Sequence, residues 1–274
     1  MEETKSKSLV TRLLVGFGLG GIFLLSLIQP LLFVLLTALA AAGGVWELAT
    51  AMRKSGWHVP RIPATIAAFL TPLMAYYFGP QGQWLTIWVA IGVMVSWRLL
   101  FLLLAKKWQS TKATLRDFGA SAFIMIYIPL LISFGALLIQ KENGTIWVFG
   151  FVLTTVAIDS FGYLIGRVWG RTKLSPEISP KKTWEGLVAS AVGAIFGGVT
   201  TVWLLGASIW FGLVFGLAIL ISSVMGDLSE SLIKRDLEVK DMGDVLPGHG
   251  GVMDRLDSLL PSTFIAYLLS HVVF

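Results

Sequence analysis

The sequence predicts an all-α, polytopic integral membrane protein of about nine transmembrane helices, and three observations carry that prediction. Charged residues make up only 14% of the 274 residues and hydrophobic ones 55%, about half the charge of an ordinary soluble domain. Apolar runs close to the roughly 20 residues that span a bilayer core follow one another along the chain. Basic residues fall almost entirely in alternate connections between those runs.

Taken in order, the runs place helices at 12–29, 31–50, 62–78, 84–105, 118–139, 145–166, 187–205, 209–226 and 259–274. The last holds 16 residues, about 24 Å at 1.5 Å per residue, short for a core of about 30 Å. Lys5, Lys7 and Arg12 precede the first run as in a signal peptide, but the run is too long and leads directly into further spans. It reads as an uncleaved first helix.

Nineteen of the 21 basic residues lie on one side. They are the three just named, then Arg53, Lys54 and Arg61, then Lys106, Lys107, Lys112 and Arg116. Arg167, Arg171, Lys173, Lys181 and Lys182 follow, and finally Lys234, Arg235, Lys240 and Arg255. Lys141 alone faces the other way, and Arg98 falls inside a span. The positive-inside rule puts that side, with the N-terminus, in the cytoplasm. The expected location is the plasma (inner) membrane of a bacterium, and an odd helix count leaves the C-terminus outside. Basic residues so placed argue against a nucleic-acid partner. The absence of cysteine excludes disulfides, thiolate metal sites and a Cys nucleophile. No internal repeat is visible, so residues 1–274 read as one membrane domain, with N-terminal helices over 1–140 and the chemistry over 145–274.

Four polar elements carry that chemistry. Eight of the sixteen acidic residues fall between Asp227 and Asp257. Asp227, Glu230, Ser231 and Lys234 recur at i, i+3, i+4 and i+7, one face of a helix continuing the eighth span. Asp227 directly follows an apolar run, where a carboxylate needs a cation partner. Next, Pro247-Gly248-His249-Gly250-Gly251 forbids regular helix and can present N–H groups to phosphate oxygens. Asp254 and Asp257 follow at i, i+3 on the start of the last helix. The two carboxylate pairs could hold Mg²⁺, a hard ion that prefers oxygen ligands. Third, Ser179 and Pro180 read as an N-cap and first-turn proline, so Lys181 and Lys182 would sit at a helix N-terminus, an anion site; Thr183 and Glu185 complete the loop. Fourth, Asp159 lies deep in the sixth run, where carboxylates are functional candidates. The neighbouring Gly162, Gly166 and Gly170 read as a close-packing stripe. Glu47 and Arg98 lie within about two turns of a cytoplasmic end, as snorkelling groups or a structural ion pair. His58 and His271 receive no role.

These residues resemble the phosphatidate cytidylyltransferase (CDP-diacylglycerol synthase) family. Its signature is matched without a gap by Ser231, Lys234-Arg235, Lys240-Asp241, Pro247-Gly248-His249-Gly250-Gly251 and Asp254-Arg255-Leu256-Asp257. Its upstream motifs appear as Asp159-Ser160-Phe161-Gly162-Tyr163, with Gly162 where Ala is usual, and as Ser179 to Gly186. The specific resemblance covers roughly 159–258; the first five spans agree only in hydropathy. It implies transfer of cytidylyl from CTP to phosphatidic acid at the bilayer surface. It also implies Mg²⁺, a second, monovalent cation such as K⁺ at Asp227 and Asp254, and a homodimer. On these readings Asp227, Asp254, Lys234, Arg235, Arg255 and Asp257 are catalytic, and Asp227, Asp254 and Glu230 hold metal. Ser179, Lys181, Lys182, Thr183, Glu185, Asp159, Lys240, Asp241, His249, Gly250 and Gly251 bind substrate. A polyprenol or phytol kinase, or an ether-lipid cytidylyltransferase, would share much of this pattern. A secondary transporter would call for repeated halves with broken helices, which the sequence lacks.

Overall fold

The computed structural model describes residues 15–104, 114–243, 245 and 250–272; Lys106, Lys107, Lys112 and His249 lie outside them. The fold is helical apart from one small hairpin. Helix α1 (Val15–Ser26) precedes α2 (Pro30–Lys54), which starts with proline at its first position and ends on Arg53 and Lys54. Proline needs no N–H partner there, and the cations suit the carbonyl end. Helix α3 (Arg61–Leu104) is broken at Gly79, whose φ of 64° and ψ of −156° are open to glycine and to few other residues. The break coincides with the expected short connection at Gly79–Gln83. Helix α4 (Thr114–Met125) runs through a π-helical turn (Ile126–Leu130) into α5 (Leu131–Leu138). Pro129 lies in that turn, where its missing N–H loosens the ladder. Then come α6 (Gly144–Trp169), β1 (Lys173–Ser175), β2 (Ser179–Thr183), α7 (Trp184–Leu205), α8 (Ile209–Asp236), α9 (Met253–Leu256) and α10 (Leu259–Leu269). Among the described residues, six helices, counting α4 to α5 as one and α3 as one, are long and apolar enough to cross a membrane.

The chain forms two compact units, residues 1–136 with 237–256, and residues 137–236 with 257–274. The loop 237–256 belongs with the N-terminal helices. The reason is packing on α2: Val252 lies against Gly43 and Leu256 against Gly44. In the same unit Arg98 forms the structural ion pair with Asp117 at 2.9 Å, both side chains buried. Asp117 also takes the His58 N–H at 3.1 Å and Arg116 at 3.3 Å. Removing one partner of such a pair costs about 3–5 kcal/mol, because the other charge is left buried.

The second unit is built on glycine. A Cβ at Gly162 would collide with the Ser190 hydroxyl and one at Gly197 with the Thr154 backbone, so α6 and α7 run at close range. Gly198 and Gly216 bring α7 and α8 together in the same way. Small residues let van der Waals packing hold helices together where lipid removes the hydrophobic drive.

Three expectations change. Ser179 and Pro180 do not start a helix: residues 173–183 fold back as an antiparallel hairpin, Lys173 opposite Thr183 and Ser175 opposite Ser179. Proline is tolerated there because a two-stranded ribbon consists of edges. The last run does not form one helix over 259–274, since α10 has 11 residues, about 16 Å. Asp254 and Asp257 therefore do not share a helix; Asp254 lies on the four-residue α9 and Asp257 in the turn before α10.

Candidate active site

In the second unit the hairpin hangs from the start of α7. Thr183 caps that helix, its hydroxyl accepting the Gly186 N–H at 3.2 Å. The Glu185 carboxylate accepts the N–H groups of Arg171 and Thr172 at 3.1 Å each. Both residues, expected to bind substrate, thus give the hairpin its shape. That shape leaves Lys181 exposed and turns Lys182 inward, where its ammonium lies 2.5 Å from Asp227 Oδ2. The sequence had set Lys181 and Lys182 apart from the carboxylates; the strand instead delivers Lys182 to one of them. Ser179, on the same strand, is partly buried.

Asp227 sits on α8 just after Gly226, and Gly226 is where the chain after α9 crosses α8. A Cβ there would meet the Asp257 carbonyl oxygen and the Pro261 ring. The close crossing brings Asp257 into the field of Asp227. Burial first, and the Asp227 charge second, push the Asp257 carboxyl up to about 6. Lys234 and Lys182 oppose that rise, as does the Ser258 N–H donated to Asp257 Oδ1 at 2.6 Å. The Asp227 and Asp257 carboxylates thus share one electrostatic neighbourhood with Lys182 and Lys234.

One turn along α8 the third expected metal ligand is otherwise engaged. Glu230 is 1% exposed, and its Oε2 takes the Lys234 ammonium at 2.7 Å. Helix α8 does run on to Asp236, which puts Ser231 and Lys234 on the face expected of them; Arg235 is exposed. Asp159 is exposed on α6, while Gly162, Gly166 and Gly170 pack against Ser190, Gly186 and Thr183. The carboxylate therefore lies off the packing stripe that its glycine neighbours form.

In the first unit the Asp254 carboxylate takes two backbone N–H groups of the segment after α8. Its Oδ2 accepts the Gly251 N–H at 2.7 Å, and the Met242 N–H approaches the two carboxylate oxygens at 3.4 and 3.3 Å. Gly250 has a φ of 80°, open to glycine, and brings the chain close over the carboxylate. Lys240, Asp241 and Arg255 are exposed around it. Glu47 received no site role from its sequence position. It does not snorkel and does not pair with Arg98; it is 4% exposed and accepts the Met253 N–H at 2.9 Å. A carboxylate one helical turn after Gly43-Gly44 in an apolar helix was the available signal. Among the described residues, no group of three or more His, Asp or Glu side chains is gathered closely enough to hold a metal ion.

The cytidylyltransferase family model matches residues 10–273. The phosphatidate cytidylyltransferase of Mycobacterium bovis is 34% identical over 270 residues, covering 96% of this chain and 88% of its own length. That of Mycobacterium leprae is 34% identical over 273 residues, with the same coverage of 96% and 88%. Phosphatidate cytidylyltransferase 4 of Arabidopsis thaliana, a chloroplast protein, is 31% identical over 246 residues, covering 80% of this chain and 60% of that one.

Proposed function

The chain belongs to the cytidylyltransferase family, and from that premise we infer that it transfers the cytidylyl group of CTP to phosphatidate, giving CDP-diacylglycerol and pyrophosphate in phospholipid synthesis. The observation that carries this reading is the meeting of Lys182, Asp227 and Asp257 at the polar end of α8. A phosphatidate oxygen attacks the α-phosphorus of CTP, the bond to the β-phosphate breaks, and pyrophosphate leaves. No protein base is required, because a phosphate monoester carries an anionic oxygen at neutral pH. Lys182, Lys181 and the lysines and arginines of 234–255 hold phosphate oxygens through charge-assisted hydrogen bonds. Lys182 exchanges Asp227 for a substrate phosphate as CTP enters.

The carboxylates fit a divalent cation: they are hard oxygen donors, and Asp257, raised first by burial and second by the Asp227 charge, is a carboxylate whose charged form a nearby cation would favour. We propose Mg²⁺ beside Asp227, and a second, monovalent cation, as the sequence signature implies. Bound Mg²⁺ supplies charge neutralisation on the triphosphate. Glu230, neutralised by Lys234, supports α8 instead.

We further propose nine membrane crossings, with α1, α10 and both halves of α3 added to the remaining long helices. The bilayer would thin locally around the short α10. The loops 171–186 and 227–258 then face the cytoplasm, where CTP is, and the protein is a homodimer in the plasma membrane. Purified protein given CTP and phosphatidate, with and without Mg²⁺, should release pyrophosphate and CDP-lipid only with Mg²⁺. Phosphorylation of a free lipid alcohol, with phosphatidate left unused, would make it a lipid kinase instead.

A further inference from the structure

We infer that Glu47, on α2, is a positioning residue for the loop that carries Asp254. The inference rests on the reaction proposed above, and its evidence lies within the first unit. Glu47 is an ionisable group in an apolar helix and only 4% exposed. A carboxylate buried in that way costs several kcal/mol unless hydrogen bonds replace its water. The loop supplies one of them: Met253 N–H donates to Oε2 at 2.9 Å. The chain also presses its backbone against the carboxylate, since a Cβ at either Gly243 or Gly251 would occupy the space of the Glu47 carboxylate oxygens.

Gly43, Gly44 and Glu47 lie on one face of α2, and all three receive residues of this loop: Val252 at Gly43, Leu256 at Gly44, and Gly243, Gly251 and Met253 at Glu47. The coupling to Asp254 is direct. Gly251, pressed against Glu47, donates the 2.7 Å N–H bond to Asp254, and Met253, bonded to Glu47, precedes Asp254 in the chain. Glu47 thus holds the two residues that determine where the Asp254 carboxylate points. Two separated glycines and a distant glutamate are parts of one device.

Glu47→Ala, Glu47→Gln and Glu47→Asp, in the full-length protein, test this. Amide hydrogen exchange over 250–257, read without substrates, should quicken about tenfold in Glu47→Ala while α6, α7 and α8 keep wild-type rates. Turnover should fall about 100-fold, the cost of misplacing a reacting group by about 1 Å, with KM for CTP changed less than about threefold. Glu47→Gln keeps the length and an acceptor, and should retain above about a tenth of wild-type kcat; Glu47→Asp, one methylene short, should fall as far as Ala. Unchanged exchange over 250–257 overturns the inference. So does an active Asp variant with an inactive Gln variant, because charge rather than reach would then matter. Faster exchange throughout the chain, with full activity in the folded fraction, reduces Glu47 to general stability and also overturns it. Wild-type turnover of CTP and phosphatidate tests the reaction itself, whereas the exchange experiment reads Glu47 whether or not that reaction is the right one.

Discussion

The Lys182 ammonium lies 2.5 Å from an Asp227 carboxylate oxygen, tying the hairpin to α8. Both side chains are partly open, at 25% and 30% exposed, so the pair adds little to stability. It holds a lysine beside a carboxylate on a partly open face.

Asp227→Asn removes a carboxylate proposed to hold a cation, and Asp254→Asn exchanges for an amide the carboxylate that the Met242 and Gly251 N–H groups approach. Each should lower turnover by about 100-fold or more, several kcal/mol of transition-state charge stabilisation, with membrane insertion intact. CDP-lipid formation per mole of inserted protein measures it. Activity above about a tenth of wild type in both variants would remove the metal assignment.

Lys181 and Lys182 should separate kinetically, since one is exposed and the other sits on Asp227. Lys181→Ala should raise KM for CTP or phosphatidate about three- to tenfold and spare kcat, the pattern of lost uniform binding. Lys182→Ala should lower kcat itself by about tenfold or more. Steady-state kinetics in mixed micelles, varying each substrate, would show it; equal effects of the two would contradict the inward placement of Lys182.

Gly226→Ala places a methyl group against the Asp257 carbonyl and the Pro261 ring. Neither is the end of a flexible chain, so the backbone must give, at about 1–3 kcal/mol. Activity should fall with stability, because Asp257 moves away from Asp227. An unchanged melting curve and rate would mean that the crossing is looser than the structure has it.

Thr183→Ala should cost about 1 kcal/mol through loss of the α7 cap, and Thr183→Ser should recover most of it. Thermal unfolding in detergent reads the difference. Equal loss in both variants would put the threonine methyl, rather than the hydroxyl bonded to the Gly186 N–H, in charge.

Single cysteines at Ser175 and Val245, in a chain that has none, should be shielded from an impermeant thiol reagent applied to intact cells. The partition of basic residues motivates the expectation. Ready labelling of either from outside would reverse the proposed orientation.

Much of this protein is written locally. A bilayer demands apolar runs of a certain length and self-satisfied backbone, so α2, α6, α7 and α8 follow from the one-dimensional pattern alone. The break at Gly79 and the continuation of α8 to Asp236 follow from it too. The hairpin at 173–183 was not legible. A Ser-Pro pair is an equally good helix start, and only the pairing of Ser179 with Ser175 decides for strand.

The sequence by itself determined the lipid-embedded helical class and the reaction family, because composition, hydropathy and motif spacing are properties of neighbours in the chain. Only the tertiary structure decided the pairings: Lys182 with Asp227, Glu230 with Lys234, Arg98 with Asp117, and Glu47 with the backbone before Asp254. A buried charge requires some partner, but several stand within reach of any one charge along the chain. The choice is made by how closely glycines let particular backbones approach, and that is a property of the packed molecule.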